Sequence, residues 1–93
     1  MKTLAELRNS LDNLDLALIS ILAERFKVTD MVGRLKKEEH LPPVDPQREK
    51  EQFERIRELA ENCGLTPRIA EKVLRLVIDE VVKRHQEIQA KEK

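Results

Sequence analysis

The sequence predicts an all-α fold of three helices, the first of them very long, and three observations favour it. Of the 93 residues, 39% are charged and only two are glycine. The apolar residues are mostly Leu, Ile, Val and Ala, and this composition favours helices over sheets. Prolines and one glycine-containing turn divide the chain into three pieces. Because this length is typical of one domain, we treat residues 1–93 as a single domain.

The first helix is expected over about residues 4–38. Its apolar residues follow a heptad spacing, and Gly33 is its only weak helix former. They are Leu4, Leu7, Leu11, Leu14, Leu18, Ile21, Val28, Val32 and Leu35. At ~1.5 Å per residue this helix is roughly 50 Å long, whereas a compact chain of this size has a radius of gyration of roughly 12 Å. The apolar stripe therefore requires a second copy of the chain, and we expect a homodimer.

Two further helices are expected over about residues 46–62 and 67–89. Asp45 and Thr66 are suitable N-cap residues, and each precedes a proline, which fits the first helical position. Gly64 follows the second helix, where a left-handed C-cap falls. An apolar stripe on each helix is expected to be buried. The stripes are Phe53, Ile56, Leu59, Ala60 and Cys63 in the second helix, and Ala70, Leu74, Val77, Val81, His85 and Ile88 in the third.

The composition disfavours several classes of function. Lys and Arg together number 18, as do Asp and Glu, so a nucleic-acid-binding protein, which needs a basic surface, is not expected. One cysteine excludes an internal disulfide, and together with two distant histidines it makes a structural metal site improbable. The sequence shows neither a membrane-spanning pattern nor a signal peptide. We therefore expect no membrane association and a cytoplasmic location.

Two cations on an apolar helix face point to a site for an anion. Arg25 occupies a core position of the first heptad series, where an unpaired charge costs several kcal/mol. Lys36 lies about three helical turns further on and returns to within roughly 20° of the same direction. The two side chains together indicate an anion-binding groove. The alternative is a structural ion pair between Arg25 and a carboxylate of the partner chain.

The order of these residues resembles the all-helical class of chorismate mutases over essentially the whole chain. The matching segments are Leu7-Arg8-x-x-Leu11-Asp12-x-Leu14-Asp15, Leu22-Ala23-Glu24-Arg25, Val32-Gly33-x-x-Lys36 and Pro43-Val44-Asp45-Pro46-Gln47-Arg48-Glu49. The resemblance implies an intertwined homodimer with two identical active sites. It also implies conversion of chorismate to prephenate, the committed step of the shikimate pathway toward Phe and Tyr, with no metal or cofactor.

The implied substrate is a dianion, and the resemblance assigns arginines to its carboxylates. Arg25 and Arg48 would bind them, joined by Arg8 reaching over from the other subunit. Asp45 would help to hold the site at the start of the second helix. Bidentate arginine–carboxylate pairs are suited to holding the flexible enolpyruvyl arm folded over the ring.

The other implied contacts serve the ether oxygen and the ring hydroxyl of the substrate. Lys36 would donate to the ether oxygen, and Glu49 would accept from the ring hydroxyl. The third helix departs from the family pattern, because Val81 stands where a small polar residue is common. His85 stands where Gln or Glu gives a second donor to the ether oxygen. A histidine N–H can fill that role, neutral or charged; the alternative is a core or rim histidine without contact to the substrate.

Two other functions stay open. An isochorismate pyruvate lyase has a similar fold and a similarly anionic substrate, although Glu49 favours the mutase. A non-catalytic helical dimerisation or regulatory module would retain the fold, pair Arg25 with a protein carboxylate and have no pocket. Docking onto another shikimate-pathway enzyme is a further alternative to a chain that acts alone.

Overall fold

The computed structural model describes residues 1–91, which form three α-helices in chain order. Helix α1 spans Leu4–Glu38, α2 spans Pro46–Cys63 and α3 spans Pro67–Ala90. Residues 1–91 include no strand, so the predicted all-α fold class is confirmed. None of the helices in this range has the length and hydropathy needed to cross a bilayer.

The starts of α2 and α3 follow their proline signals, but only one of them uses the expected side-chain cap. The Asp45 carboxylate accepts a hydrogen bond of 3.1 Å from the backbone N–H of Arg48. This cap satisfies a free donor at the end of α2 and fixes its first turn. Thr66 precedes Pro67 as expected, but its hydroxyl makes no capping hydrogen bond. The start of α3 therefore depends on Pro67, whose fixed φ suits the first helical position.

Helix α1 ends in a Schellman turn with His40 at the left-handed position. The N–H of Leu41 donates to the carbonyl of Lys36 at 2.8 Å, and His40 has φ of 57°. Helix α2 ends in the same kind of turn, with Gly64 at φ of 79°, as predicted. Glycine is usual at this position because a Cβ is disfavoured there. A non-glycine residue thus occupies the turn that leads from Lys36 into the loop before α2.

Substitution of His40 by glycine is expected to raise the free energy of unfolding by about 1 kcal/mol, because a left-handed φ is unfavourable for a residue with a Cβ. Urea denaturation of the two proteins measures the difference. The control is His40→Ala, which also removes the imidazole but keeps a Cβ. An equal gain from His40→Ala would show that the backbone conformation is not the cause.

Helix α3 is the centre of the packing. It packs against both α1 and α2, whereas no Cα atom of α1 lies within 8 Å of a Cα atom of α2. The buried apolar residues come mainly from α3; they are Ala60, Ala70, Leu74, Val77 and Ile78. Since α3 is covered on two sides, most of its predicted stripe is buried.

The apolar stripe predicted on α2 is only partly covered. Ala60 is buried, and Phe53 and Ile56 are partly buried. Leu59 is 47% exposed and Cys63 is also exposed, so the expectation that they belong to the core is wrong for the chain by itself. The reason is that α2 packs against α3 alone, which shields a narrow strip of its surface.

The N-terminal half of α1 has no cover at all. Every residue from 4 to 21 is exposed, including the leucines of the heptad series. The molecule is 58 Å long, and its radius of gyration is 16.9 Å. A compact chain of this size would have a radius of gyration of roughly 12 Å. The exposed stripe is therefore an extended apolar surface for which the described chain provides no packing partner.

Candidate active site

A cleft lies between α1 and α2, with α3 as its floor. Arg25, Thr29 and Lys36 form the α1 wall. Arg25 and Lys36 face the same side because three helical turns separate them. The opposite wall is formed by Pro43, Asp45, Arg48, Glu49 and Gln52. The cleft thus brings three cations and two carboxylates together from segments that are far apart in the sequence.

The floor of the cleft is mostly apolar. It is formed by Ile78, Val81, Val82 and His85, which share one face of α3 because they are three or four residues apart. Ile78 and His85 are buried. Charged walls above an apolar floor suit a small anionic molecule with an apolar body, because charges act more strongly beside low-dielectric groups.

Seven of the eight residues proposed from the sequence line this cleft. They are Arg25, Lys36, Asp45, Arg48, Glu49, Val81 and His85. The exception is Arg8, which lies on the exposed half of α1, about 25 Å along the helix axis from Arg25. In the described chain Arg8 therefore does not join the others.

Five lining residues were not among those proposed from the sequence. They are Thr29, Pro43, Gln52, Ile78 and Val82. Helical spacing could have indicated most of them, because each helical member lies three or four residues from a proposed site residue. Pro43 has no such signal, since it lies in the loop before α2.

Arg25 has a buried guanidinium nitrogen without a partner. Its Nη1 is inaccessible to solvent and makes no hydrogen bond within residues 1–91. No carboxylate of these residues forms an ion pair with Arg25. A donor of a charged group that is removed from water without a partner is costly. The arrangement therefore favours an anion that comes from outside the described chain.

The two carboxylates of the cleft have different partners. Asp45 is the N-cap of α2, so its role in the described chain is to fix the helix that carries Arg48 and Glu49. Glu49 accepts a hydrogen bond at Oε1 from Nη1 of Arg75 at 3.3 Å. Its Oε2 takes no hydrogen bond within residues 1–91, which leaves one oxygen as an acceptor for a ligand.

His85 is held against α1 at a glycine. The residue is 2% exposed, and its Nε2 lies 2.7 Å from the backbone carbonyl oxygen of Thr29. A Cβ on Gly33 would lie 2.5 Å from Cδ2 of His85, closer than packing permits. The absence of a side chain at Gly33 is thus what lets the imidazole approach the backbone of α1.

This contact determines which nitrogen of His85 can donate to a ligand. A carbonyl oxygen only accepts, so Nε2 must carry the proton of the bond to Thr29. The other nitrogen, Nδ1, is buried and has no partner within residues 1–91. A neutral His85 in this arrangement has no second N–H, whereas the imidazolium could donate from Nδ1.

Comparison with known proteins shows the family. Residues 7–86 match the family described as chorismate mutase type II. The chorismate mutase of Methanocaldococcus jannaschii is 30% identical over 79 residues, which are 85% of this chain and 80% of that protein. The T-protein of Haemophilus influenzae is 36% identical over 75 residues, which are 81% of this chain and 20% of that protein.

A third relative is also longer than this chain. The bifunctional chorismate mutase/prephenate dehydratase of Aquifex aeolicus is 39% identical over 56 residues, or 60% of this chain and 16% of that protein. The chain thus spans about a fifth or less of its longer relatives and most of the shorter mutase. Because the family match runs from Leu7 to Gln86 and includes both walls and the floor of the cleft, the chain belongs to the chorismate mutase type II family.

Proposed function

We propose that this chain converts chorismate to prephenate in the cleft between α1 and α2, as a homodimer whose subunits complete each other's sites. Its family makes it an enzyme of the chorismate mutase type, an isomerase of aromatic amino-acid biosynthesis. The observation that carries the proposal is the buried, unpaired Nη1 of Arg25 in the same cleft as Lys36 and Arg48.

The reaction matches what these residues can supply. It is a unimolecular [3,3] rearrangement in which a C–O bond breaks, a C–C bond forms and no proton is exchanged with the protein. No nucleophile or general base is therefore needed. Arg25 and Arg48 bind the carboxylates and hold the enolpyruvyl arm over the ring. Holding the reacting atoms in contact removes much of the entropic part of the barrier.

The negative charge that develops in the transition state explains the role of Lys36. Negative charge accumulates on the ether oxygen as the C–O bond breaks, and the ammonium of Lys36 donates to that oxygen. A donor fixed in place binds the transition state more strongly than the ground state, which accelerates the step. Glu49 accepts a hydrogen bond from the ring hydroxyl through its unengaged Oε2. Val81 contributes apolar contact at the floor beside His85.

Two observations support the homodimer. The cleft of one chain has a volume of about 70 Å³, well below the roughly 300–1,000 Å³ of ordinary ligand pockets, so a single chain encloses little of a substrate. The exposed apolar stripe of residues 4–21 also requires a cover. A second copy would supply both, and Arg8 of the partner subunit would then reach the open side of the cleft.

His85 is proposed as the second donor to the ether oxygen, and its bond to Thr29 makes the imidazolium the form that acts. His85→Gln should keep at least about a tenth of the activity, since an amide also donates, whereas His85→Ala, which has no donor, should lower kcat further. The kcat values of the two variants and of the wild type give the answer. An unchanged kcat in His85→Ala would mean that His85 makes no contact with the ether oxygen.

The direct test of the function is the absorbance change on chorismate loss, with identification of the product. Prephenate supports the proposal, whereas pyruvate released from isochorismate would indicate the lyase. A bicyclic transition-state analogue should raise the melting temperature, because it binds only the folded protein. A chain with neither turnover nor stabilisation would be a non-catalytic helical module.

The cytoplasmic location and docking onto another enzyme of the pathway stay predictions.

A further inference from the structure

Arg75 lies beside the cleft and is held by three contacts. Its Nη1 is 3.3 Å from Oε1 of Glu49 on α2 and 3.3 Å from Oδ1 of Asp79 on α3. Its guanidinium carbon lies 4.7 Å from the centre of the Phe53 ring. Phe53 is one turn beyond Glu49 on α2, so the arginine bridges the two helices along one line of contacts.

The three contacts restrict a side chain that would otherwise be mobile. The side chain of Arg75 is 51% exposed. Its guanidinium nevertheless stacks on an aromatic ring and contacts two carboxylates, and these contacts leave it few alternative orientations. Glu49 is more buried, at 21% exposed, and lines the cleft. Arg75 does not line the cleft, so any effect it has on a bound molecule passes through Glu49.

We propose that Arg75 is a positioning residue that holds Glu49 by Oε1 and so presents Oε2 to the ring hydroxyl of the substrate. The inference rests on the proposed function, in which Glu49 accepts that hydrogen bond. A free glutamate side chain has several rotamers and loses this freedom when it binds. The contact with Arg75 removes part of that freedom before the substrate arrives, which is preorganisation.

The effect should appear mainly in KM. The ring hydroxyl keeps its proton and gains no charge during the rearrangement, so the Glu49 contact is about equally strong in the ground and transition states. Loss of such a contact raises KM and changes kcat little. Because the pair is partly exposed, we expect Arg75→Gln to lower kcat/KM by about fivefold, the upper end for exposed ion pairs.

A double-mutant cycle with Glu49→Gln tests whether Arg75 acts through Glu49. If it does, Arg75→Gln should lower kcat/KM about fivefold in the wild-type background and by less than about 1.5-fold when Glu49 is already glutamine. Arg75→Lys, which keeps the charge but loses the stacked planar group, should have an intermediate effect. Urea denaturation of each variant shows whether it is folded.

Arg84 provides a matched control on the same helix. It also stacks on a phenylalanine, at 4.4 Å from the centre of the Phe26 ring. It pairs with Glu80 one turn before it on α3 and with Asp30 on α1. The hydrogen bond to Glu80 raises the pKa of the Arg84 guanidinium above its ordinary value. None of these partners lines the cleft, so Arg84→Gln should leave KM unchanged.

The outcomes separate the two proposals. Active wild-type protein with a cycle that shows coupling, and with no effect of Arg84→Gln on KM, supports the role of Arg75. Active wild-type protein with additive effects of Arg75→Gln and Glu49→Gln would overturn that role alone. Wild-type protein that does not turn over chorismate would overturn the proposed function, and the inference with it.

Discussion

Replacing Arg25 by alanine is expected to lower kcat/KM for chorismate by about a hundredfold to a thousandfold, the range typical of losing one charged contact in an active site. The guanidinium has a buried nitrogen with no partner within residues 1–91, so a substrate carboxylate would supply its missing counter-charge. Steady-state kinetics measures the loss. Arg55→Ala is the matched control, because Arg55 is exposed on α2 and does not line the cleft.

The free energy of unfolding should not fall together with the activity when Arg25 is replaced. If Arg25 serves a substrate, its replacement by methionine removes a desolvated charge and should leave the free energy of unfolding unchanged or raised. If Arg25 instead pairs with a carboxylate of the partner chain, the same change should destabilise the protein by about 3–5 kcal/mol. Denaturant titration of Arg25→Met distinguishes these cases. A large loss of stability with full activity per folded molecule would make Arg25 structural.

Mixed subunits test whether the sites are shared. The homodimers of Arg8→Ala and of Arg25→Ala would each lack one arginine in both sites. A heterodimer would have one intact site and one site that lacks both, so subunit exchange should restore about a quarter of the wild-type activity in a random mixture. No recovery would mean that Arg8 does not serve the site of the other subunit. Sedimentation of dilute protein gives the oligomeric state independently.

Local signals in the sequence were sufficient to predict the parts of the fold that position the cleft walls. Asp45 and Gly64 are where the cap rules place them, since both rules depend on a few neighbouring atoms. Arg25 and Lys36 share a wall because helical geometry alone determines their relative direction. These features need no knowledge of tertiary packing.

Features that depend on contacts between helices could not be predicted in the same way. Leu59 and Cys63 continue an apolar stripe, but the exposed edge of α2 follows from how much of it α3 covers. The contact between Gly33 and His85 joins residues on α1 and α3, and only the packing of these helices brings them together. No spacing rule within one helix indicates either arrangement.

Replacing Lys36 by alanine is expected to reduce kcat by about a hundredfold to a thousandfold with a much smaller change in KM, because this donor acts most strongly as charge develops. Lys36 is partly buried in the cleft wall and forms no ion pair within residues 1–91, so its ammonium is available to a ligand. Single-turnover kinetics at saturating substrate measures the chemical step directly.

The neighbouring lysine shows whether the effect is specific to position. Lys37 is in the same last turn of α1 but does not line the cleft, and its Nζ donates to the carbonyl of Lys91. Lys37→Ala removes the same charge from the same helix end, so it controls for the interaction with the helix dipole and for net charge. Lys37→Ala should leave kcat within about twofold of the wild type. A change confined to KM in Lys36→Ala, or an equal fall of kcat in Lys37→Ala, would mean that Lys36 contributes general electrostatic attraction and not a directed bond to the ether oxygen.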